Sequence, residues 1–564
     1  MLNWKHCAAS ILMTANGFMA MASRAAEQPP RAPAPPKVFL ETSLASTPVT
    51  GQTIEVGPGG DLQAALNKAQ PGDEIALQAG STYTGNFILP VKEGGEDRGK
   101  WITIRSSNMA GLPKEGVRVS PKDAAAMPKI VAPNANPAIS TALRAGYYRL
   151  IGLEITVAPT VKTSWAIVRL GQGAPEQTTL DAVAHHVILD RVYIHGDPKL
   201  DCFRCVALDS ASSAVIDSYL SEAHVVGFDS QAICGVNGPG PFKIVNNYLE
   251  GSGENIMFGG ADPAIRDLVP SDIEFGGNHC FKPLSWKIGH SSYAGIPWAV
   301  KNLFELKNAR RVWIEGNVFE NNWVHAQNGT GILFTVRNQS GTAPWSAVQD
   351  VTMINDILRN SPTALVVMGY DSPNQSQQTQ RFLIRNNLFE RVERTGFMIT
   401  WGSDDIEVDH NTFVPTNYLS FVMSGLKGHD TAGKVEGIPC QRFKLTNNIF
   451  GFGRYGVGID GGQNTFAEAF PNGIVAKNLL VGHGEGRAEH LLKNKTLADG
   501  FLVEPKHVGT TPEDDADWSA VGFANFASCD YRLTAASKYG TAGTDGKPLG
   551  ADIEAIEAAR KKSR

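Results

Sequence analysis

Asn246-Asn247-Tyr248-Leu249-Glu250-Gly251-Ser252-Gly253-Glu254-Asn255-Ile256-Met257-Phe258-Gly259-Gly260-Ala261-Asp262 is the stretch that decides the reading of this chain. It joins an Asn pair, an aromatic-aliphatic step, a short polar turn, an apolar strand and a glycine-rich exit. Degraded copies recur along the sequence. Aligned on the second Asn, they are Asp217-Ser218-Tyr219, Gly277-Asn278-His279, Gly316-Asn317-Val318-Phe319 and Asn355-Asp356-Ile357. Asn386-Asn387-Leu388-Phe389, His410-Asn411-Thr412-Phe413, Asn447-Asn448-Ile449-Phe450 and Lys477-Asn478-Leu479 complete the set. The spacing runs from 24 residues (Asn387 to Asn411) to 39 (Asn278 to Asn317). Such a period marks a solenoid, a propeller or an array. A propeller blade needs four strands, and the shortest interval holds about three. A fixed motif with elastic spacing fits a solenoid whose coils carry loops of different length.

The Asn has a physical reason. One residue per coil must turn sharply, and Asn tolerates the left-handed region better than most. Asn side chains stacked coil on coil can also hydrogen-bond in a ladder. These Asn residues are therefore structural and are not catalytic candidates.

Two further stretches go with the ladder: GGDLQAALNKAQPGDEIALQAGSTYTGNF at 59–87 and YRLTAASKYGTAGTDGKPLGADI at 531–553. With them, residues 51–553 resemble right-handed parallel β-helix proteins of the pectin-lyase-like kind. DSQAICGVNGPGPF, ENIMFGGADP and FKPLSWK are similar to segments of secreted bacterial β-helix proteins. The resemblance implies an all-β, right-handed parallel β-helix solenoid with a short N-terminal capping helix. It implies activity only as a class: acting on or binding carbohydrate, often acidic polysaccharide.

The 564 residues are 42% hydrophobic and 19% charged, with a net charge of -5. A nucleic-acid protein would carry a basic excess. Residues 1–26 read as a signal peptide, with Lys5 ahead of an apolar run from Ala8 to Ala22 and small-residue cleavage sites after it. This implies a secreted or periplasmic protein without a membrane span, expected as a monomer. Residues 27–50 read as a Pro-rich extended linker, 51–555 as the β-helix and 556–564 as a basic tail. Asp61 to Gln70 reads as an amphipathic helix, capped by Asp61 and stopped by Pro71-Gly72, that covers the open end of the solenoid. Cys202 and Cys205 are expected as a local disulfide or buried thiols, and His185, His186 and His195 as structural.

Period two separates the faces of a strand. If Phe304 and Leu306 point inward, Glu305 and Lys307 point outward; one coil on, Phe334 and Val336 place Thr335 and Arg337 outward. Asn338, Gln339, Tyr370 and Trp401 lie at the strand exits. The loop between Asn278 and Asn317 adds Lys282, Trp286 and Lys287 as a basic, aromatic wall. These seven residues are the substrate-binding candidates: amides for hydroxyls, aromatics for sugar rings, cations for carboxylates.

Lyase chemistry on a uronate needs a cation for the carboxylate and a base for the α-proton. Lys307 as base and Arg337 as clamp, with Glu305 beside them, are the catalytic candidates. Calcium-dependent pectate lyases of this fold use clustered carboxylates, and Glu254 and Asp262 are the candidate calcium ligands here. A polygalacturonase-type glycoside hydrolase is an alternative, drawing on Asp404, Asp405 and His483. A non-catalytic carbohydrate-binding or surface protein is another.

Overall fold

The computed structural model describes residues 29–562 except 94–99, 372, 401, 417–418, 425–426, 429–434, 437, 454–455, 460–465, 483–499 and 505–517. The expected signal peptide, Trp401 and His483 lie outside the described residues.

Each coil crosses three faces. Phe242–Val245 lies on the first, Tyr248–Gly251 on the second and Glu254–Phe258 on the third. Each pairs in parallel with the matching strand one coil on: Ser271–Gly276, His279–Phe281 and Asn302–Leu306. The first face is a 14-stranded sheet. The other two merge into one 24-stranded sheet, because Ile357–Met368 and Leu388–Thr400 run unbroken round the corner between them. The chain is a right-handed parallel β-helix, as its repeat implies.

The core is built of columns. Ile233, Ile256, Phe304, Ile332, Leu365 and Phe397 pair in succession, and all are buried. Phe389, Phe413 and Phe450 stack at 4.3 and 4.7 Å. Each buried side chain of this size contributes about 1.5–3 kcal/mol.

The Asn pair divides two tasks. Its first member makes the turn: Asp217, Asn246, Asn355, Asn386, His410, Asn447 and Lys477 all have φ between 52° and 61°. Gly277 and Gly316 stand at the same place, where a positive φ suits glycine. Its second member builds the ladder. Asn247 donates from its backbone N and Nδ2 to Asn278 Oδ1 (2.9 and 3.0 Å), and Asn278 does the same to Asn317. The pattern continues from Asn387 to Asn411, Asn448 and Asn478.

Leu62–Lys68 is the capping helix, with Asp61 accepting from Ala64 N and Leu62, Ala65 and Leu66 buried in the main core. The Pro-rich segment, read as a linker, is docked on the first face. Arg31 N, Ala34 N and Lys37 N donate to Asp405, Asp350 and Asp272. Each aspartate also holds an arginine from the next coil: Arg442, Arg381 and Arg311. At the other end, the expected basic tail is a helix, Ile553–Lys562, with Ile556 fully buried. Cations in its last turn suit the helix dipole. Cys202 and Cys205 are buried free thiols.

Candidate functional site

The third face turns a corner just before its strands settle. Cys205, Ala232 and Leu303 are buried in the core, and so are the next residues, Val206, Ile233 and Phe304. Two successive inward residues break the alternation. The residues immediately before them, Arg204, Gln231, Glu254 and Asn302, form a column of their own. They turn to the outer surface, where they meet Glu305 and Lys307.

The resulting network runs along the helix axis. Arg204 Nε donates to Gln231 Oε1 (3.3 Å), and Gln231 Nε2 donates to Glu254 Oε2 (2.7 Å). Asn302 Nδ2 donates to Glu305 Oε2 (3.0 Å) and to Gln327 Oε1 (3.2 Å). Lys307 Nζ lies 3.5 Å from Glu305 Oε1. An Asp229–Lys301 ion pair borders the network. Glu254 is 0%, Glu305 1% and Lys307 9% exposed, whereas Arg204 is half-buried. Among the described residues Arg204 makes no ion pair, but Cys234 first and then Asp209, Glu254 and Asp229 outweigh burial and raise its guanidinium above the ordinary value.

Burial sets the charges. It pushes the Glu254 carboxyl up to about 8, the Glu305 charge adds to this, and Lys307 opposes it. For Lys307, burial pulls the ammonium down, but Glu305, Glu254 and Asp229 outweigh it and raise it above its ordinary value. Lys307 is therefore protonated at neutral pH, and the expected resting base is instead a fixed cation. Glu254 Oε1, Asn302 Oδ1 and Thr335 Oγ1 are buried without a hydrogen-bond partner. Each such atom costs about 1–3 kcal/mol unless water or a ligand meets it.

Other expected residues lie elsewhere. Arg337 Nη1 is held by Asp371 Oδ1 at 2.5 Å, and Asp371 also accepts from Asn338 N, so the expected clamp is occupied. Asn338 is buried, bonded to Gln375 O and Ala343 N. Lys282 is no substrate wall: it is fully buried, with Nζ donating to the carbonyls of Gly251, Ser252 and Gly253. Burial pulls its ammonium down to about 7, opposed by the charges of Glu254 and Cys280. Trp286 is buried too, in a cluster with Trp298, Val300 and Trp323 against His224. Lys287 sits 6.0 Å over the Trp323 ring. Gln339 is exposed and Tyr370 half-buried.

Glu254 and Asp262 do not fit a shared calcium. Asp262 Oδ2 is taken by Ser340 N, Thr342 N and Thr342 Oγ1. Glu254 opens a strand that Phe258 closes about 13 Å away, before the chain reaches Asp262. Among the described residues no three His, Cys, Asp or Glu side chains converge as metal ligands.

A cleft of about 510 Å³ lies on the second face around Tyr193, His195, Tyr219, Glu222 and Glu250. Burial, reinforced by Glu222, pushes Glu250 up to about 8. His195 Nε2 lies 3.1 Å from Glu154 Oε1, which also pairs with Lys129. Asp404 and Asp405, offered for the hydrolase reading, are paired with Arg442 instead.

No family model and no curated protein matches the sequence. Solved structures do. An alginate lyase from Paenibacillus sp. str. FPU-7 is 14% identical over 77% of this chain and 98% of its own, with a TM-score of 0.32. Pectate lyase Pel9A is 13% identical over 90% and 98%, with a TM-score of 0.35. A PL6 family polysaccharide lyase from Pseudopedobacter saltans is 12% identical over 82% and 98%, with a TM-score of 0.40. At these values the chemistry must be argued from this chain's own residues.

Proposed function

We propose that this protein cleaves an acidic, uronate-containing polysaccharide by β-elimination on its third face. The observation that carries this is Glu254: a carboxyl with a raised pKa and an unpartnered Oε1, acted on by the Lys307 ammonium that Glu305 holds and joined to the Arg204 guanidinium through Gln231. Arg204 takes the uronate carboxylate, for which its planar fork is suited. Lys307 stabilises the negative charge that develops when the α-proton leaves. Glu254, in its ionised form, accepts that proton. The C–H electron pair becomes the new C=C bond, and the glycosidic oxygen departs with its bonding pair and is protonated by water. The water-poor surroundings strengthen each of these interactions. The apolar run at 8–22 supports export to where such polymers are found. No helix among the described residues is long and apolar enough to cross a membrane.

A glycoside hydrolase is the second reading. It is favoured by Glu250, whose pKa is pushed up to about 8 in the second-face cleft and whose Oε2 accepts from Glu222 N. One experiment separates the two: incubation with alginate and polygalacturonate from pH 6 to 10, following the ultraviolet absorbance of unsaturated ends. A base with a pKa of about 8 gives kcat/KM that rises with pH through that value. An acid at the same pKa gives the opposite limb, with no new absorbance. Absence of unsaturated product on every uronate polymer defeats the elimination reading.

A further inference from the structure

The turn between the first and second faces is covered by two segments remote in sequence. From one end comes a loop ahead of strand Lys129–Ala132. Its Gly116 N donates to Asp217 Oδ2 (2.8 Å) and its Val119 N to Asp217 O (3.0 Å). Arg118 reaches further, with Nε on Asn246 O (2.9 Å) and Nη2 on Gly277 O (2.8 Å). From the other end comes the C-terminal segment. Thr544 N donates to Asn447 Oδ1 and Asp552 N to Asn386 Oδ1. The helix Ile553–Lys562 then lies against Gly316, where a Cβ would stand 3.2 Å from Ala559 O. The two covers meet over Gly277 and Gly316. Between Asp217 and Lys477 these are the two turn positions that carry glycine.

A cavity of about 150 Å³ remains at this seam, lined by Arg118, His279, Arg359 and Arg560 with the two glycines. Among the described residues no carboxylate lines it. Glu320 Oε2 serves both His279 and Arg359, at 2.9 Å each. Burial would raise the Glu320 carboxyl, but the hydrogen bonds from His279 and Arg359 hold it down at about 2. Glu390 lies 3.8 Å from Arg359 and also serves Arg391 at 3.0 Å. Arg359 Nε is buried without a hydrogen-bond partner. The helix end adds about half a negative charge, which Arg560, Lys561 and Lys562 outweigh. Three guanidinium side chains from a loop, a strand and a helix thus surround one small space. Guanidinium forks match the oxygens of an oxyanion. The space is well under the roughly 300 Å³ at which pockets for larger organic ligands begin, so a sugar chain does not fit it. A carboxylate offers two oxygens and a tetrahedral anion four, which suits donors arriving from three segments.

We propose that a small tetrahedral oxyanion, inorganic phosphate or sulfate, binds in this cavity and bridges the loop of Arg118 to the helix of Arg560. The ion offsets the positive charge of the seam and fixes the C-terminal helix over the coils. The third face plays no part in this binding.

The test uses the full chain, dialysed into a chloride buffer and melted in rising phosphate, sulfate, acetate or chloride at matched ionic strength. Phosphate or sulfate should raise Tm along a saturating curve, and acetate and chloride should not. Arg359→Gln and Arg560→Gln should each raise the half-saturating concentration about tenfold, the scale of one lost charge-assisted hydrogen bond. Arg266→Gln, which removes an exposed cation outside the cavity, should respond like wild type. Should Arg359→Gln fail to fold, Arg560→Gln in the last turn of the helix carries the comparison. Hydrogen exchange of residues 553–562 should slow when the ion is added to wild type, and not in Arg560→Gln. Equal rises in all four salts overturn the site, and so do cavity variants that saturate with wild type. A saturating rise without added protection of the helix overturns the bridge. A rise in acetate as large as in phosphate and sulfate overturns the tetrahedral anion.

Discussion

The Asn ladder and the outer network of the third face are built alike and behave differently. Both are columns of buried polar side chains, one residue per coil. In the ladder every amide is used: Asn387 Oδ1 accepts from Asp356 N, and its Nδ2 donates to Met353 O and Asn411 Oδ1. In the outer network Glu254, Asn302 and Thr335 each keep a buried polar atom without a partner. A satisfied column holds a fold together. Orphaned atoms cost stability unless water or a ligand meets them, and the outer column carries them on two successive coils, at Glu254 and Asn302, where the ladder has one, at Asp356.

The largest expected effect breaks the outer column. Glu254→Gln keeps the shape and the Gln231 contact but removes the proton acceptor, so kcat should fall about 10²- to 10⁴-fold. Stability should move the other way. The native Glu254 pKa of about 8 lies above its ordinary value of 4.5, so the folded state holds a proton that the unfolded chain releases. Its contribution is intact below about 4.5 and is lost as pH rises through about 8. The Gln variant lacks this loss and should melt higher than wild type at pH 9. Normal turnover in Glu254→Gln removes this residue from the chemistry.

The middle effect breaks the ladder. Asn387→Leu strips partners from Asp356 N and Met353 O and takes one of the two donors, Nδ2 but not the backbone N, from Asn411 Oδ1. The cost should be about 3 kcal/mol, read from urea unfolding, with little change in the turnover of protein that remains folded. A loss below about 1 kcal/mol would show that water replaces the amide, and the contrast between the columns would weaken.

The ladder was legible because one residue type must occupy one place in every coil. The core columns were legible because Phe304 and Leu306 obey period two. That same rule hid the best part of the site. It places position 302 on the side of Phe304, yet Leu303 and Phe304 both face the core at the corner, which sends Asn302, Glu254, Gln231 and Arg204 outward. Nothing in a single strand announces such a corner; its trace is the alignment of Arg204, Gln231 and Glu254 ahead of the apolar runs. Arg337 lies two residues beyond its strand, which ends at Thr335, and Asp371, 34 residues later, claims it. Lys282 and Trp286 looked exposed because their loop is long, and only packing shows that both turn inward. The Pro-rich segment reads as a linker by composition, whereas its binding column of Asp272, Asp350 and Asp405 is scattered over more than a hundred residues.

The smallest effect sharpens the comparison from within the ladder. Asp356 is the one acid standing where its neighbours have Asn. Its Oδ1 accepts from Asn317 N and Nδ2, as an amide oxygen would, but its Oδ2 is buried without a partner. Burial raises its carboxyl well above the ordinary value, so the folded chain keeps this proton to higher pH than the unfolded one. The unfolded chain releases that proton above about pH 4, so wild-type stability falls as pH rises from there toward the native pKa. Asp356→Asn supplies a permanent amide with donors for Oδ2's place and no titration. It should stabilise the protein by about 1 kcal/mol at pH 7, with a smaller gain at pH 4 and a larger one at pH 9. Melting curves at the three pH values read this directly. A gain that does not grow with pH would mean that Asp356 is ionised in the ladder, and that the outer network is not alone in keeping an uncompensated buried group.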